Sequence, residues 1–201
     1  MQQRMSHAER TDLSDRKMLQ AAVQLILSKG AEKTTLKDVG ELAGYSRGLA
    51  GYRFGSKDGL FKFVLRSLGE HWLQELAAVC ENKVGLDAII AATQAHYRMC
   101  ELNPDDVRAF YILWFDAIGF DSEEVRQAII KINLRRHHDL VEWITQDSSL
   151  QHKHDQAQTI ASHFSTSLNG IVYQWLMNPE NLDDIKALHE SLINTMRLLL
   201  D

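Results

Sequence analysis

Apolar residues recur at spacings of three and four along the whole chain, and no segment alternates apolar with polar long enough to form a strand. That pattern confines the chain to an all-α fold. Only two prolines interrupt it, and both follow asparagine, at Asn103-Pro104 and Asn178-Pro179. Asparagine before proline disfavours helix and ends one element where another begins. About nine helices are predicted, over 15–29, 36–43, 47–53, 57–81, 86–102, 105–118, 122–147, 154–177 and 182–200. Asn103 is expected to cap the sixth, with Pro104 first in the helix and Asp105 and Asp106 in its first turn. Asp121-Ser122-Glu123-Glu124, after a stop at Gly119, gives the seventh a similar acidic start.

At 201 residues, 45% of them hydrophobic, the chain can bury a core without disulfides or metal. The longest unbroken apolar run, Phe110–Phe115, is too short to span a bilayer, and Met1–His7 has no run of signal-peptide length. Two cysteines, Cys80 and Cys100, make no disulfide framework and fit a reducing compartment. A soluble cytoplasmic protein is expected, with no membrane partner. The net charge of −5 conceals an asymmetry. Residues 1–70 carry 12 Lys and Arg against 8 Asp and Glu, or +4; the remainder carries 10 against 19, or −9. A basic head on an acidic body can meet a phosphate backbone locally.

The head has the punctuation of a helix-turn-helix. Leu19, Ala22, Val23, Ile26 and Leu27 share one face of the first helix, which Gly30 closes. Thr35 opens a capping box with Asp38, and Val39, Leu42 and Ala43 supply the next apolar stripe. Gly40 allows a second helix to cross closely, and Gly44 suits a turn needing positive φ. Ser46 and Ser56 are placed to cap the two helices that follow. The helix after the turn carries Arg47, Gly48, Leu49, Gly51, Tyr52 and Arg53. Glycines there disfavour helix and make sense where backbone must approach DNA. Arginine can fork to guanine or clamp phosphate, and a tyrosine hydroxyl can reach phosphate. Lys57 sits in the first turn of the fourth helix, where amides also favour an anion.

The segments Asp15–Ala22, Lys29-Gly30, Thr34–Val39, Ala43–Gly48 and Phe54–Phe61 occur in order. Together, over residues 12–72, they resemble the TetR-family DNA-binding domain. The resemblance implies a helix-turn-helix at 35–54, with Thr35, Lys37, Ser46, Arg47, Gly48, Leu49, Tyr52, Arg53 and Lys57 at the DNA. Ala50 and Gly51 stand where the family usually has leucine-tyrosine, so Tyr52 takes over the aromatic contact. The resemblance further implies that residues 75–201 bind a ligand and dimerise. Duplex DNA bearing a palindromic operator, a small-molecule effector and a second copy of the chain are then the expected partners. No cofactor is expected.

The body agrees independently. Val107, Phe110, Tyr111, Trp114 and Ile118 line one side of helix 105–118 and Ile112 and Phe115 the other, so this helix is predicted to be central. The expected effector pocket draws on His96, Phe110, Trp114, Phe115, Asp116, Trp143, Asn169 and Tyr173. Asp116 is read either as a counter-charge there or as a solvated carboxylate. Arg108-Ala109-Phe110, Leu113–Ala117, Asn169-Gly170-Ile171, Gln174-Trp175-Leu176 and Pro179 also resemble, loosely, the choline-responsive betaine-regulator subgroup, without assigning its ligand. Helix 154–177 carries two adjacent apolar stripes and 182–200 a third, which exceeds what one body can cover. A symmetric four-helix contact through Ala161, Ser165, Leu168, Val172, Leu188, Leu192 and Met196 is therefore expected.

Three other patterns are set aside. Gly44–Gly48 matches G-x-S-x-G, but that motif needs a preceding strand and here a helix is predicted. His137, His138, His152 and His154 lack metal-ligand spacing and read as surface histidines, so no metal is expected. Cys80 and Cys100 read as buried small hydrophobes. The expected function is a non-enzymatic repressor released from its operator by an effector. A ligand-independent regulator or activator, or an adaptor using the helix-turn-helix for protein contacts, are the alternatives.

Overall fold

A computed structural model describes residues 6–119 and 122–201, apart from the side chains of His7 and Arg47. Among the described residues there are nine α-helices and no strand. They are α1 His7–Lys33, α2 Leu36–Leu42, α3 Arg47–Phe54, α4 Lys57–Cys80, α5 Gly85–Leu102, α6 Pro104–Asp116, α7 Glu123–Gln146, α8 Ala157–Met177 and α9 Leu182–Leu200. A short 3-10 segment, Ser148–Gln156, joins α7 to α8 where the sequence predicts only a loop and the start of a helix.

Local chemistry sets the boundaries. α1 starts eight residues earlier than expected because Ser6 and Glu9 form a reciprocal capping box. Gly30, at φ +83°, breaks it as expected, and one further turn runs to Lys33. Thr35 caps α2 by accepting from the Asp38 amide at 3.1 Å. The Asp38 carboxylate, however, turns to Lys29 of α1, so the box is only half made. Ser56 caps α4 by accepting from the Gly59 amide at 2.9 Å, whereas Ser46 heads α3 with no side-chain cap bond. Asn103 also heads α6 without one, leaving Pro104 and two aspartates to favour that start. Asp121 lies outside the described residues; Ser122 caps α7 by accepting from the Val125 amide.

α1, α2 and α3 form a small unit that sits on α4, and α4 runs on into the body between α5, α6 and α7. α1 also packs along α6. One apolar core therefore continues from Met18, Ile26, Val39 and Leu60 through Phe61 and Leu113 to Leu168, Trp175 and Met196. Each such large side chain contributes on the order of 1.5–3 kcal/mol by leaving water. Leu42, expected in the buried stripe, is 46% exposed, because Ala43 and Val39 already fill the α2–α1 contact. Ile118 is 84% exposed, since α6 ends at Asp116 and the chain turns outward.

Both apolar stripes of α8 are buried within the chain itself. Ile160, Phe164, Leu168, Ile171 and Trp175 are covered, and so are Ala161 and Val172. The body helices α6, α7 and α9 wrap more of α8 than a single stripe would require. Of the seven expected interface residues, Ala161, Leu168, Val172, Leu192 and Met196 are therefore interior. Ser165 is half-buried, and Leu188 is 37% exposed.

Two histidines lie inside the body. His96 of α5 and His189 of α9 are each 3% exposed, with His96 Nδ1 2.9 Å from His189 Nε2. Burial first, then the charges of His189 and Arg136, holds His96 well below its ordinary pKa of 6.5. Burial also lowers His189, against the Ile185 carbonyl that favours its charged form.

Two outcomes follow for stability. A Cβ at Gly59 would lie 2.1 Å from the Phe54 carbonyl oxygen, which cannot yield. Gly59→Ala should lower stability by about 1–3 kcal/mol, read from chemical denaturation. The two imidazoles stay neutral when folded but take up protons near pH 6.5 when unfolded. Their contribution is thus complete above that pH and lost as pH falls through 6.5 toward the lowered folded values. Melting temperature should drop between pH 7 and pH 5, and His189→Gln should flatten that slope.

Candidate functional site: an exposed short helix and a cavity between helices

The turn between α2 and α3 places one short helix on the surface. Gly44, at φ +79°, makes that turn without strain. At Gly40 an added Cβ would lie 3.3 Å from the Ser46 carbonyl oxygen and 3.5 Å from the Ala50 Cβ, which is the close crossing the sequence predicts. Ala50 is fully buried and Leu49 and Phe54 half-buried against the core, so they hold α3 down. Residues spaced by four share one side of so short a helix. There Gly48 is exposed and Tyr52 is 89% exposed. A Cβ at Gly48 or Gly51 would meet nothing within 4 Å, so neither glycine is required by the chain's own packing.

The expected DNA-contact residues divide into two groups. Thr35, Lys37, Ser46, Gly48 and Tyr52 are exposed at the start of α2 and along α3. Leu49, Arg53 and Lys57 serve the head's own structure. Leu49 packs inward. Arg53 pairs with Asp15 of α1, and Lys57 donates to the Glu32 carbonyl and lies 5.5 Å from the Phe61 ring centre. Both cations sit where the head folds on itself, an arrangement not deducible from spacing because their partners lie 38 and 25 residues away. The Arg47 side chain lies outside the described part of the structure. Ser46 follows a helix and a turn, not a strand, so the G-x-S-x-G pattern has none of its required context.

The body holds a second feature. α4, α5 and α6 enclose an apolar cavity of about 30 Å³, lined by Leu68, Gly69, His71 and Trp72, by His96 and Met99, and by Asn103, Asp106, Val107, Phe110 and Tyr111. That volume admits roughly one water, so a ligand would have to part the walls. Of the expected pocket residues, His96 and Phe110 line it. Trp114 stands behind Phe110, with ring centres 5.6 Å apart. Phe115 and Tyr173 meet edge-on at 6.0 Å elsewhere, and Tyr173 is 52% exposed. Asp116 is exposed at the end of α6, which fits the solvated-carboxylate reading; partial burial nevertheless raises its pKa. Trp143 does not line the cavity; it packs both against the main core and against the smaller cluster of Leu76, Cys80 and Ala92.

The polar lining has a defined proton order. His189 Nδ1 lies 2.7 Å from the Ile185 carbonyl, which can only accept, so Nδ1 carries the proton and Nε2 accepts. His96 Nδ1–H therefore donates to His189 at 2.9 Å, leaving His96 Nε2 to accept from the Tyr111 hydroxyl at 3.4 Å. Cys100 Sγ is 3.9 Å from His96 Nδ1. His96, Cys100 and His189 could together face a soft cation, but the imidazoles satisfy each other and burial pushes the Cys100 thiol up to about 12. Cys80 is likewise buried and pushed up to about 11. Both thiols behave as small hydrophobes.

Sequence reasoning missed Trp72, Arg136 and His189. Arg136 is 3% exposed, and its Cζ lies 5.6 Å from the ring centres of both Trp72 and Trp114. Its Nη2 donates to Asn133 Oδ1 at 3.0 Å and to the expected pocket residue Asn169 at 3.2 Å. In the sequence it sits in the run Arg135-Arg136-His137-His138, which resembles a solvated face. Arg135 does face out, toward Asp139. His137 Nε2–H donates to Gln158 Oε1 at 2.7 Å, and His138 is exposed.

Comparison with known proteins fits this geometry. Residues 18–64, which hold α2, α3 and their flanks, match the family described as bacterial regulatory proteins, tetR family. The HTH-type transcriptional regulator BetI of Rhizobium meliloti (strain 1021) is 28% identical over 114 residues, 56% of this chain and 55% of that one. The match thus spans about half the length of each. A transcriptional regulator from Rhodococcus sp. Rha1 shares the fold at a TM-score of 0.80 with 20% identity, over 93% of this chain and 96% of the other. A regulator from Saccharomonospora viridis, solved in complex with choline, shares it at 0.74 with 15% identity, over 92% and 96%. No described helix is long and apolar enough to cross a membrane. The head is thus similar in sequence to the bacterial tetR family over residues 18–64, and the whole helical order is that of solved transcriptional regulators.

Proposed function

We propose that the chain is a dimeric repressor whose residues 12–72 read a palindromic operator and whose residues 75–201 bind the effector that releases it. One observation carries this reading: the cavity is walled by the helices on which the head is mounted. α4 gives Leu68, Gly69 and Trp72 to the cavity and holds α1 and α3 at its other end. α6 gives Val107, Phe110 and Tyr111 to the cavity and packs against α1. A molecule that parts α4 from α6 therefore shifts the seat of the DNA-reading helix. α4, at 24 residues, spans roughly 36 Å at 1.5 Å per residue, enough to carry that shift from body to head.

Two copies would place two α3 helices about 34–36 Å apart, one turn of duplex. The effector acts only through its differential affinity for the spaced and unspaced arrangements. The choline bound by the Saccharomonospora regulator supports a small-molecule effector at the body. Dimerisation through α8 and α9 draws support from their outward side, not from the interior stripes. Ser167, Gly170, Gln174, Leu188, Ser191 and Thr195 line a shallow groove there, small enough to admit a facing helix. Tyr173 and Met177 of α8 and Leu134 of α7 are also exposed.

The open space above Gly48 allows a clean test. Gly48→Leu meets nothing in the protein and gains helix propensity of up to about 1 kcal/mol, so melting temperature should hold or rise. Operator affinity, by fluorescence anisotropy at fixed salt, should fall at least tenfold; unchanged affinity would remove α3 from the DNA surface. Lys37→Ala should lower the salt slope of binding by about 1, as expected for one lost phosphate contact. Sedimentation should give twice the chain mass, and a protein that remains single would contradict the paired reading.

A further inference from the structure

Among the described residues, Arg136 is a buried cation with no anion beside it. It is 97% covered, as its 3% exposure states, and among the described residues it enters no ion pair. Among the described residues its company is two asparagine oxygens on Nη2, the faces of Trp72 and Trp114, and the side chain of Tyr111. Nε and Nη1 are buried without a partner, and so is Nε1 of Trp72. Three unsatisfied donor nitrogens in one apolar region are costly, because each has left water and found nothing in return. Buried arginine is otherwise compensated by carboxylate.

Resting on the regulator reading above, we propose that Arg136 and Trp72 bind the carboxylate of the effector, a small, largely apolar carboxylic acid. The placement fits. Trp72 lines the cavity and stacks on Arg136, and Tyr111, also in the wall, feels the same guanidinium. A carboxylate entering between α4 and α6 would meet the Nε1–H of Trp72 and the free N–H groups of Arg136 in a region of low dielectric, where charge-assisted bonds are strongest. The apolar remainder would lie against Leu68, Val107 and Phe110. Asp106, the one carboxylate in the wall, sits two turns before Trp114 on α6, about 12 Å along the helix axis. Burial holds His96 and His189 below their ordinary pKa, so neither of these two favours a competing positive charge. A quaternary ammonium such as choline would be driven against an unpaired guanidinium, so this pocket selects the opposite sign.

The test uses the full-length protein with hexanoate and phenylacetate as probes, beside their neutral amides and choline, followed by tryptophan fluorescence and calorimetry. At least one carboxylate should bind, at least tenfold tighter than its amide, and choline should not bind. Arg136→Met should lose that preference entirely, and Trp72→Phe should weaken it several-fold. Arg136→Met should also leave the ligand-free melting temperature unchanged or raise it by a few degrees, since it removes an unpaired charge. A guanidinium kept for structure alone would give the opposite shift. Should neither carboxylate bind, should amide and acid bind alike, or should Arg136→Met melt earlier, the inference is wrong. Operator binding without ligand is measured separately: retained duplex binding with no carboxylate effect sinks this inference alone, whereas carboxylate binding without duplex binding sinks the regulator reading.

Discussion

The packing of α1 along α6 joins what would otherwise be a head on a stalk to the centre of the body. α1 supplies Met18, Ala22 and Ile26 to a core that continues through α4 into α6 without a break. A head mounted on α4 alone could swing without the body noticing. Held by α6 as well, it has two attachments, and the angle between them is set by what fills the space between α4 and α6. That space is the cavity. On the proposed reading, the same residues that bury apolar surface for stability also link the cavity to the head.

The polar groups around the cavity differ in how they are satisfied. The chain from Tyr111 through His96 and His189 to the Ile185 carbonyl is closed, each donor with an acceptor. It costs little to bury and fixes α5 against α9. Arg136 and Trp72 are open by three donors. Buried polar groups left unsatisfied beside a satisfied network call for an explanation, and the proposed carboxylate is one. Electrostatics then decides the sign of the visitor.

Much of this architecture was legible in the sequence because it is written in short-range chemistry. Thr35, Ser56, Gly44 and the two Asn-Pro pairs act within four residues of themselves, and they place the helices and the turn where the structure has them. The first boundary departs from the predicted start at 15 for a local reason too, since Ser6 and Glu9 form a capping box that begins α1 at His7. What spacing cannot show is which of two apolar faces a body will cover. α8 has two stripes, and the surplus assigned to a partner is buried at home. Pocket residues were hardest, because His96 meets His189 across 93 positions and Arg136 looks like part of a charged surface run. Asp116 and Trp143 carried the right chemistry in the wrong place.

Hydrogen exchange resolved by residue tests the coupling of head and body most directly. Phe110→Ala opens the α6 side of the cavity far from the DNA-facing surface of α3, and its effect can be followed amide by amide in α1. If α1 and α6 share one core, exchange in the buried turns of α1, around Ala22 and Ile26, should quicken together with that of α6. Loosening confined to α6 and the body, with α1 as protected as in the wild type, would contradict the account.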